Sequence, residues 1–137
     1  MSPRASTLAA YQSVATHGGV AAADPHRLVL MLMDGALDRL AQARGCLQHG
    51  AISEKNRLIS SAVQIVEELR ASLDLNAGGT IAANLDDLYD YMGRQLLKAN
   101  LTNRVETLDE VSHLLNEIRS AWIALPAEAR ALRPGSR

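Results

Sequence analysis

Asp24-Pro25-His26-Arg27-Leu28-Val29-Leu30-Met31-Leu32-Met33-Asp34-Gly35-Ala36 is a helix start followed by a helix body. An aspartate can cap the free N–H groups of a first turn, and proline fits the first helical position because its missing donor is not needed there. Downstream, Val29, Met33, Ala36, Leu40, Ala43 and Leu47 recur in alternating steps of four and three, the rhythm of one helical face. Gly50 supplies a stop after His49. The helix so delimited has about 24 residues and spans roughly 36 Å at 1.5 Å per residue.

The same rhythm returns in the rest of the chain. A second helix is expected over roughly residues 53–73, with Leu58, Ala62, Ile65 and Leu69 widened by Ile59, Val66 and Leu73. A third is expected after Gly78-Gly79, on a stripe of Ile81, Leu85, Leu88 and Met92 with Tyr89 and Leu96 alongside. For the fourth, Asn103 and Glu106 read as a capping pair, Leu108, Val111, Leu115, Ile118, Trp122 and Leu125 as the stripe, and Pro126 as the end. Stripes with a mean step near 3.5 residues, joined by short connections, pack as an all-α, antiparallel four-helix bundle. Residues 24–126 are its expected extent. Residues 1–23 are rich in Ala, Ser, Thr and Gly and read as a mobile arm, with room for a short fifth helix around Leu8 to Val14. Residues 127–137 read as a fraying tail.

Composition fits one such domain. The chain has 137 residues, 47% apolar and 21% charged, with Tyr11, Tyr89, Tyr91 and Trp122 as its aromatics and no Phe. Aliphatic side chains and methionine must therefore fill the interior. A net charge of −1 with scattered Lys and Arg gives no clustered basic face for nucleic acid. Cys46 stands alone, which excludes an internal disulfide framework and suits a reducing compartment. The longest apolar run, Leu28 to Met33, is too short to span a bilayer, and the N-terminus lacks a signal-peptide pattern, so a cytoplasmic protein is expected.

Catalytic chemistry finds little support. Di-metal bundles need inward-facing Glu-x-x-His pairs on two helices, and this sequence has one such pair, Glu110 and His113, on the solvent side of its helix. Asp34 and Asp38 sit a turn apart but outside the core stripe. His17, His26, His49 and His113 have no Ser or Cys partner in a catalytic pattern. Gly78-Gly79-Thr80 lacks the lysine and spacing of a phosphate loop. No catalytic residue, metal or cofactor is assigned.

A surplus of apolar positions remains after the core is filled. Leu28 and Met31 fall opposite the first helix's seam, Leu97 falls opposite the third's, and Tyr91 flanks the core near Tyr89. A covering arm is one explanation; a groove for a helical or extended peptide is the other. Leu28, Met31, Tyr89, Tyr91 and Leu97 are the groove candidates.

The residues also carry a family likeness. The stretch from Asp24 to Ala36, closing in Asp34-Gly35-Ala36, resembles the first-helix signature of flagellin-specific secretion chaperones. Gly78-Gly79 with Ile81-Ala82-Ala83-Asn84-Leu85, then Leu88-Tyr89-Asp90-Tyr91-Met92 with Arg94, Leu96 and Ala99-Asn100, is similar to that family's corner and central block. Asp109-Glu110-Val111, Leu114-Leu115 and Arg119-Ser120-Ala121-Trp122 resemble its last helix. Met33 stands where the family commonly has an aromatic, and Gly93 where a bulkier residue usually follows Tyr-Met. The resemblance implies a non-enzymatic chaperone, monomeric or weakly dimeric when free. It implies binding of the disordered C-terminal segment of flagellin, which becomes helical on the bundle, and delivery to a component of the flagellar export gate. It also implies that Leu8 and Tyr11 serve as an N-terminal gate and export-docking element. Two rival readings are a self-associating structural bundle and a di-metal enzyme.

Overall fold

The structure is a computed structural model that describes residues 24–125. The expected arm, with Leu8, Tyr11 and the helical stretch to Val14, and the tail at 127–137 lie outside the described residues. Four helices follow one another: α1 (Pro25–Gln48), α2 (Ile52–Ala71), α3 (Leu75–Thr102) and α4 (Val105–Ile123). Each packs on its two neighbours, α1 on α2, α2 on α3, α3 on α4 and α4 back on α1. The all-α four-helix bundle read from the apolar rhythm is the observed architecture.

Cross-links fix the antiparallel order. Between α1 and α4 the partners run in opposite directions: His26 with Trp122, Asp34 with Arg119, Arg44 with Asp109. Between α2 and α3 they are Lys55 with Asn100 and Arg70 with Asp86. The tightest polar lock lies at the α1–α4 end. The His26 and Trp122 rings stack at 5.0 Å between centroids, 9° from parallel. The indole N–H donates to the His26 carbonyl at 3.0 Å, and His26 Nε2 donates to the Trp122 carbonyl at 2.7 Å. A carbonyl only accepts, so Nε2 carries the ring proton.

The helix ends show which signals were read correctly. Asp24 accepts from the N–H groups of His26 and Arg27, as the Asp-Pro start implied. At the other end of α1, Gly50 adopts φ +74°, and Ala51 N–H reaches Cys46 O at 2.9 Å while Gly50 N–H reaches Leu47 O at 3.4 Å. That is a Schellman stop, and it needs a residue tolerant of positive φ.

Three expectations need correction. The third helix begins before the glycine pair, because Asp74 caps Asn76 and Ala77 and forms a first turn from Leu75. Gly79, at φ 53° and ψ −132°, then kinks the helix in a conformation that a side chain would oppose. Asn103 does not cap the fourth helix. It is left-handed, at φ 56°, and ends α3 with its N–H on Ala99 O; α4 starts from Arg104 without a side-chain cap.

The third correction concerns the register of α3. Its buried face is Ala82, Tyr89, Met92, Leu96 and Ala99, not the Ile81/Leu85/Leu88 line. Ile81 is 56% exposed and Leu85 only half-buried. The two alanines are the cause: small side chains let neighbouring backbones approach, so the seam follows them rather than the larger leucines. Tyr89, a groove candidate, is 2% exposed and belongs to the core, where burial pushes its phenol well above the usual range. Leu28 is also buried. It lies about three helical turns before Arg39, which bonds Ser61 of α2, so it shares the α2-facing side of α1.

This register makes a direct prediction. Leu115 is fully buried, and Leu115→Ala should cost about 2–5 kcal/mol by denaturant unfolding. Ile81→Ala should cost within about 0.5 kcal/mol. Comparable losses at both positions would restore the Ile81-centred seam.

Candidate peptide-binding groove

An apolar cleft lies along the α3–α4 seam. At the end where α1 begins, a cleft of about 170 Å³ is lined by Leu73, Ile81, Ala82, Leu85, Ile118, Ala121, Trp122 and Leu125. Ile81, two residues past the Gly79 kink, lines this cleft rather than the core. Leu73 in the α2–α3 turn forms the end wall. Its lining is entirely apolar in residue type, and Trp122 holds the floor through the lock with His26.

The groove continues along the seam. Leu88 is exposed on the α3 side and Leu114 half-buried on the α4 side. Beyond them, a polar tie crosses the seam: the Tyr91 hydroxyl donates to Glu110 Oε2 at 2.7 Å, and Gln95 Nε2 donates to Glu110 Oε1 at 3.0 Å. From Ile81 to Tyr91 the track runs about 15 Å, or nearly three helical turns. One wall of leucine and isoleucine, a second of alanine, isoleucine and leucine, and a polar end suit an amphipathic helix laid lengthwise.

The tie also sets the charge of Glu110. The Tyr91 hydroxyl, then the Gln95 amide and the nearby Lys98 ammonium, hold its carboxyl below the ordinary glutamate range against the opposing effect of desolvation. The same bond raises the Tyr91 phenol.

Of the five groove candidates, the structure puts Tyr91 on this seam. Tyr89 lies beneath it in the core, Leu28 is buried toward α2, and Met31 is half-buried on α1. Leu97 is 55% exposed on the opposite side of α3, and cannot line the same groove. The structure does not bring the five together. Sequence reading missed the cleft's own walls, Ile118, Ala121 and Leu125, because they had been counted as plain core or not at all. It also missed Lys55, whose ammonium is buried and donates to the backbone and side-chain oxygens of Asn100, both at 2.9 Å. That lysine satisfies a carbonyl left free at the C-terminus of α3, and burial lowers its pKa. The carboxylates once weighed as metal ligands are engaged elsewhere: Asp34 with Arg119, Glu110 with Tyr91. Among the described residues no group of three or more His, Cys, Asp or Glu could hold a metal ion. No helix there is long and apolar enough to cross a membrane.

Comparison with known proteins joins this bundle to a function. The family described as flagellar protein FliS matches residues 7–129, which includes all four helices. The chain belongs to the FliS family of flagellar secretion chaperones. It is 49% identical over 112 residues to the flagellar secretion chaperone FliSB of Pseudomonas aeruginosa, covering 82% of this chain and 89% of that protein. It is 42% identical over 122 residues to the FliS chaperone of Vibrio cholerae, covering 89% and 90%. With the Salmonella typhimurium chaperone the identity is 43% over 126 residues, covering 91% and 93%. This is a family of chaperones rather than enzymes, and its setting is flagellar secretion.

The Tyr91 tie yields a pH prediction for this family member. Glu110 has a depressed folded-state pKa, so the stabilisation from its hydrogen bonds is present above the ordinary glutamate pKa and is lost as pH falls through the lowered value. Tyr91→Phe should move the Glu110 titration, followed by carboxyl NMR, back up toward the ordinary value. An unmoved titration would show that the tie does not form in solution.

Proposed function

We propose that this chaperone binds the C-terminal segment of flagellin in the cytoplasm, prevents its premature polymerisation, and hands the complex to the flagellar export gate. The observation that carries the reading is the open apolar groove between α3 and α4, in a chain of this family. A segment built to pack between subunits exposes apolar helix faces when it is alone, and it would otherwise seek those of other copies. Laid into the groove, its apolar side meets Ile81, Leu85, Leu88, Ile118 and Leu125, and its polar side meets the Tyr91–Glu110–Gln95 tie. Folding on binding gives such a segment a large interface at a cost in ordering, of the kind that buries on the order of 1,000–3,000 Å². Release then requires no chemistry, only a competing surface at the gate. The free chaperone is a monomer or weak dimer in this reading, and Leu8 and Tyr11 of the arm supply the contact with the gate.

Calorimetry with a flagellin C-terminal peptide should show binding with a negative heat-capacity change, and circular dichroism a gain of helix. Ile118→Glu, which places a charge in the groove wall, should weaken affinity by about tenfold or more while the fold persists. Binding that ignored Ile118→Glu would remove the groove from the mechanism.

The arm is tested in cells. Tyr11→Ala with Leu8→Ala should leave peptide affinity unchanged and reduce flagellin secretion and motility. Wild-type secretion by the double variant would sink the gate role.

A further inference from the structure

The Tyr91–Glu110–Gln95 tie gives the register of the α3–α4 seam. Glu110 bonds both Tyr91 and Gln95, so it stands level with Gly93 between them. The two helices run antiparallel, and each advances 1.5 Å per residue. Eleven residues back along α3 and eleven on along α4 bring Ala82 level with Ala121. In the same register Leu85 stands level with Ile118, and Tyr89 with Leu114. A ladder of large side chains therefore climbs the seam and ends in a pair of alanines.

The cleft of about 170 Å³ lies at that pair. Had the alanines let the two helices close on each other, both would be covered; Ala82 is 3% exposed, but Ala121 is open to solvent. The walls do not fill the space either. Trp122, beside Ala121, is pinned by its stacking on His26 and its bond to the His26 carbonyl, so the indole cannot swing inward. An apolar space of about 150 Å³ takes a benzene-sized group. The cleft therefore suits one side chain of leucine to phenylalanine size, and is too small for a helix backbone.

We propose that Ala82 and Ala121 form a socket that decides which segment the groove accepts: one large apolar side chain of the cargo helix enters it and fixes that helix's register along the seam. The inference rests on the proposed function and adds to it the chemistry of the cargo. The tie lies about 16 Å from the socket, or eleven residues of helix. An accepted segment carries one leucine-, methionine- or phenylalanine-sized anchor, and roughly eleven residues away a polar side chain that meets Glu110. A segment of equal apolar content without that spacing is refused, because seating its anchor leaves an apolar group on the tie.

Two probes test this: a synthetic peptide of the flagellin C-terminal segment, and toluene, which reports on the socket without cargo. Toluene added to the full chain should shift the NMR signals of Ala82, Ala121 and the Trp122 indole, and should leave Ala121→Leu unshifted. Ala121→Leu should weaken the peptide by about tenfold or more, with a melting temperature unchanged or raised, as filling an apolar gap does. Ala121→Met fills the socket with a more adaptable chain, should Ala121→Leu fail to fold. An alanine scan of the peptide should find one large apolar position whose loss costs about tenfold or more in affinity. The peptide trimmed there should bind Ala121→Leu at least as well as the intact peptide does. Absence of toluene shifts, tight binding of the intact peptide by Ala121→Leu, or failure of the trimmed peptide to recover overturns the proposal. So does pairing of copies in sedimentation that Ala121→Leu abolishes, which assigns the socket to a second chain. Shifts at Leu8 and Tyr11 in Ala121→Leu, with peptide affinity unchanged, would assign it to the arm and overturn the proposal too. If the wild-type chain binds no peptide, the proposed function fails and takes the cargo with it; if it binds and ignores Ala121→Leu, the socket alone fails.

Discussion

The bundle depends on the lock between His26 and Trp122. Three of the four contacts between helices join sequence neighbours, which short turns hold together in any case. The fourth, α1 with α4, has no turn to help it. It is closed by a stacked ring pair and two reciprocal bonds from ring N–H to backbone carbonyl, at the end where α1 starts and α4 stops. Asp34–Arg119 and Arg44–Asp109 extend the contact, but they are surface pairs, which contribute about 0–1 kcal/mol each. Trp122 also floors the apolar cleft, so the side chain that completes the fold fixes the shape of the groove.

Much of the fold was legible because α1 announces itself. Asp24-Pro25 and Gly50 mark its ends, and a broad apolar arc marks its inner face. The α2 stripe of Leu58, Ala62, Ile65 and Leu69 was equally plain, and all four are buried. Reading failed where small residues decide packing. Ala82 and Ala99 carry the α3 seam, while Ile81 and Leu88 attract attention and stay outside. Asn103 illustrates a second kind of failure: one residue can start a helix or end one, and only its φ tells which.

The site was harder to see than the fold. An apolar surplus can be counted from sequence, but its place depends on which face each neighbouring helix covers. Tyr91 was found as a flanking position; its link to Glu110 across the seam was not, because the two are nineteen residues apart. Lys55 looks like any surface lysine until Asn100 is brought to it. One exposed side of α3 is apolar and ends at the Tyr91–Glu110–Gln95 tie; the other carries the exposed Leu97 and Leu101.

The His26–Trp122 lock places the two ends of the bundle within one hydrogen bond of each other. A chain whose first and last helices meet in this way has no intrinsic beginning. Joined by a short linker between α4 and α1, and reopened at the Gly50 turn, it would present the same four helices in a new order, since an exposed turn is where such cuts are tolerated. The reordered molecule would keep the cleft covalently closed on the side where the natural chain enters and leaves. It would thereby test whether the four helices alone suffice for binding at the cleft.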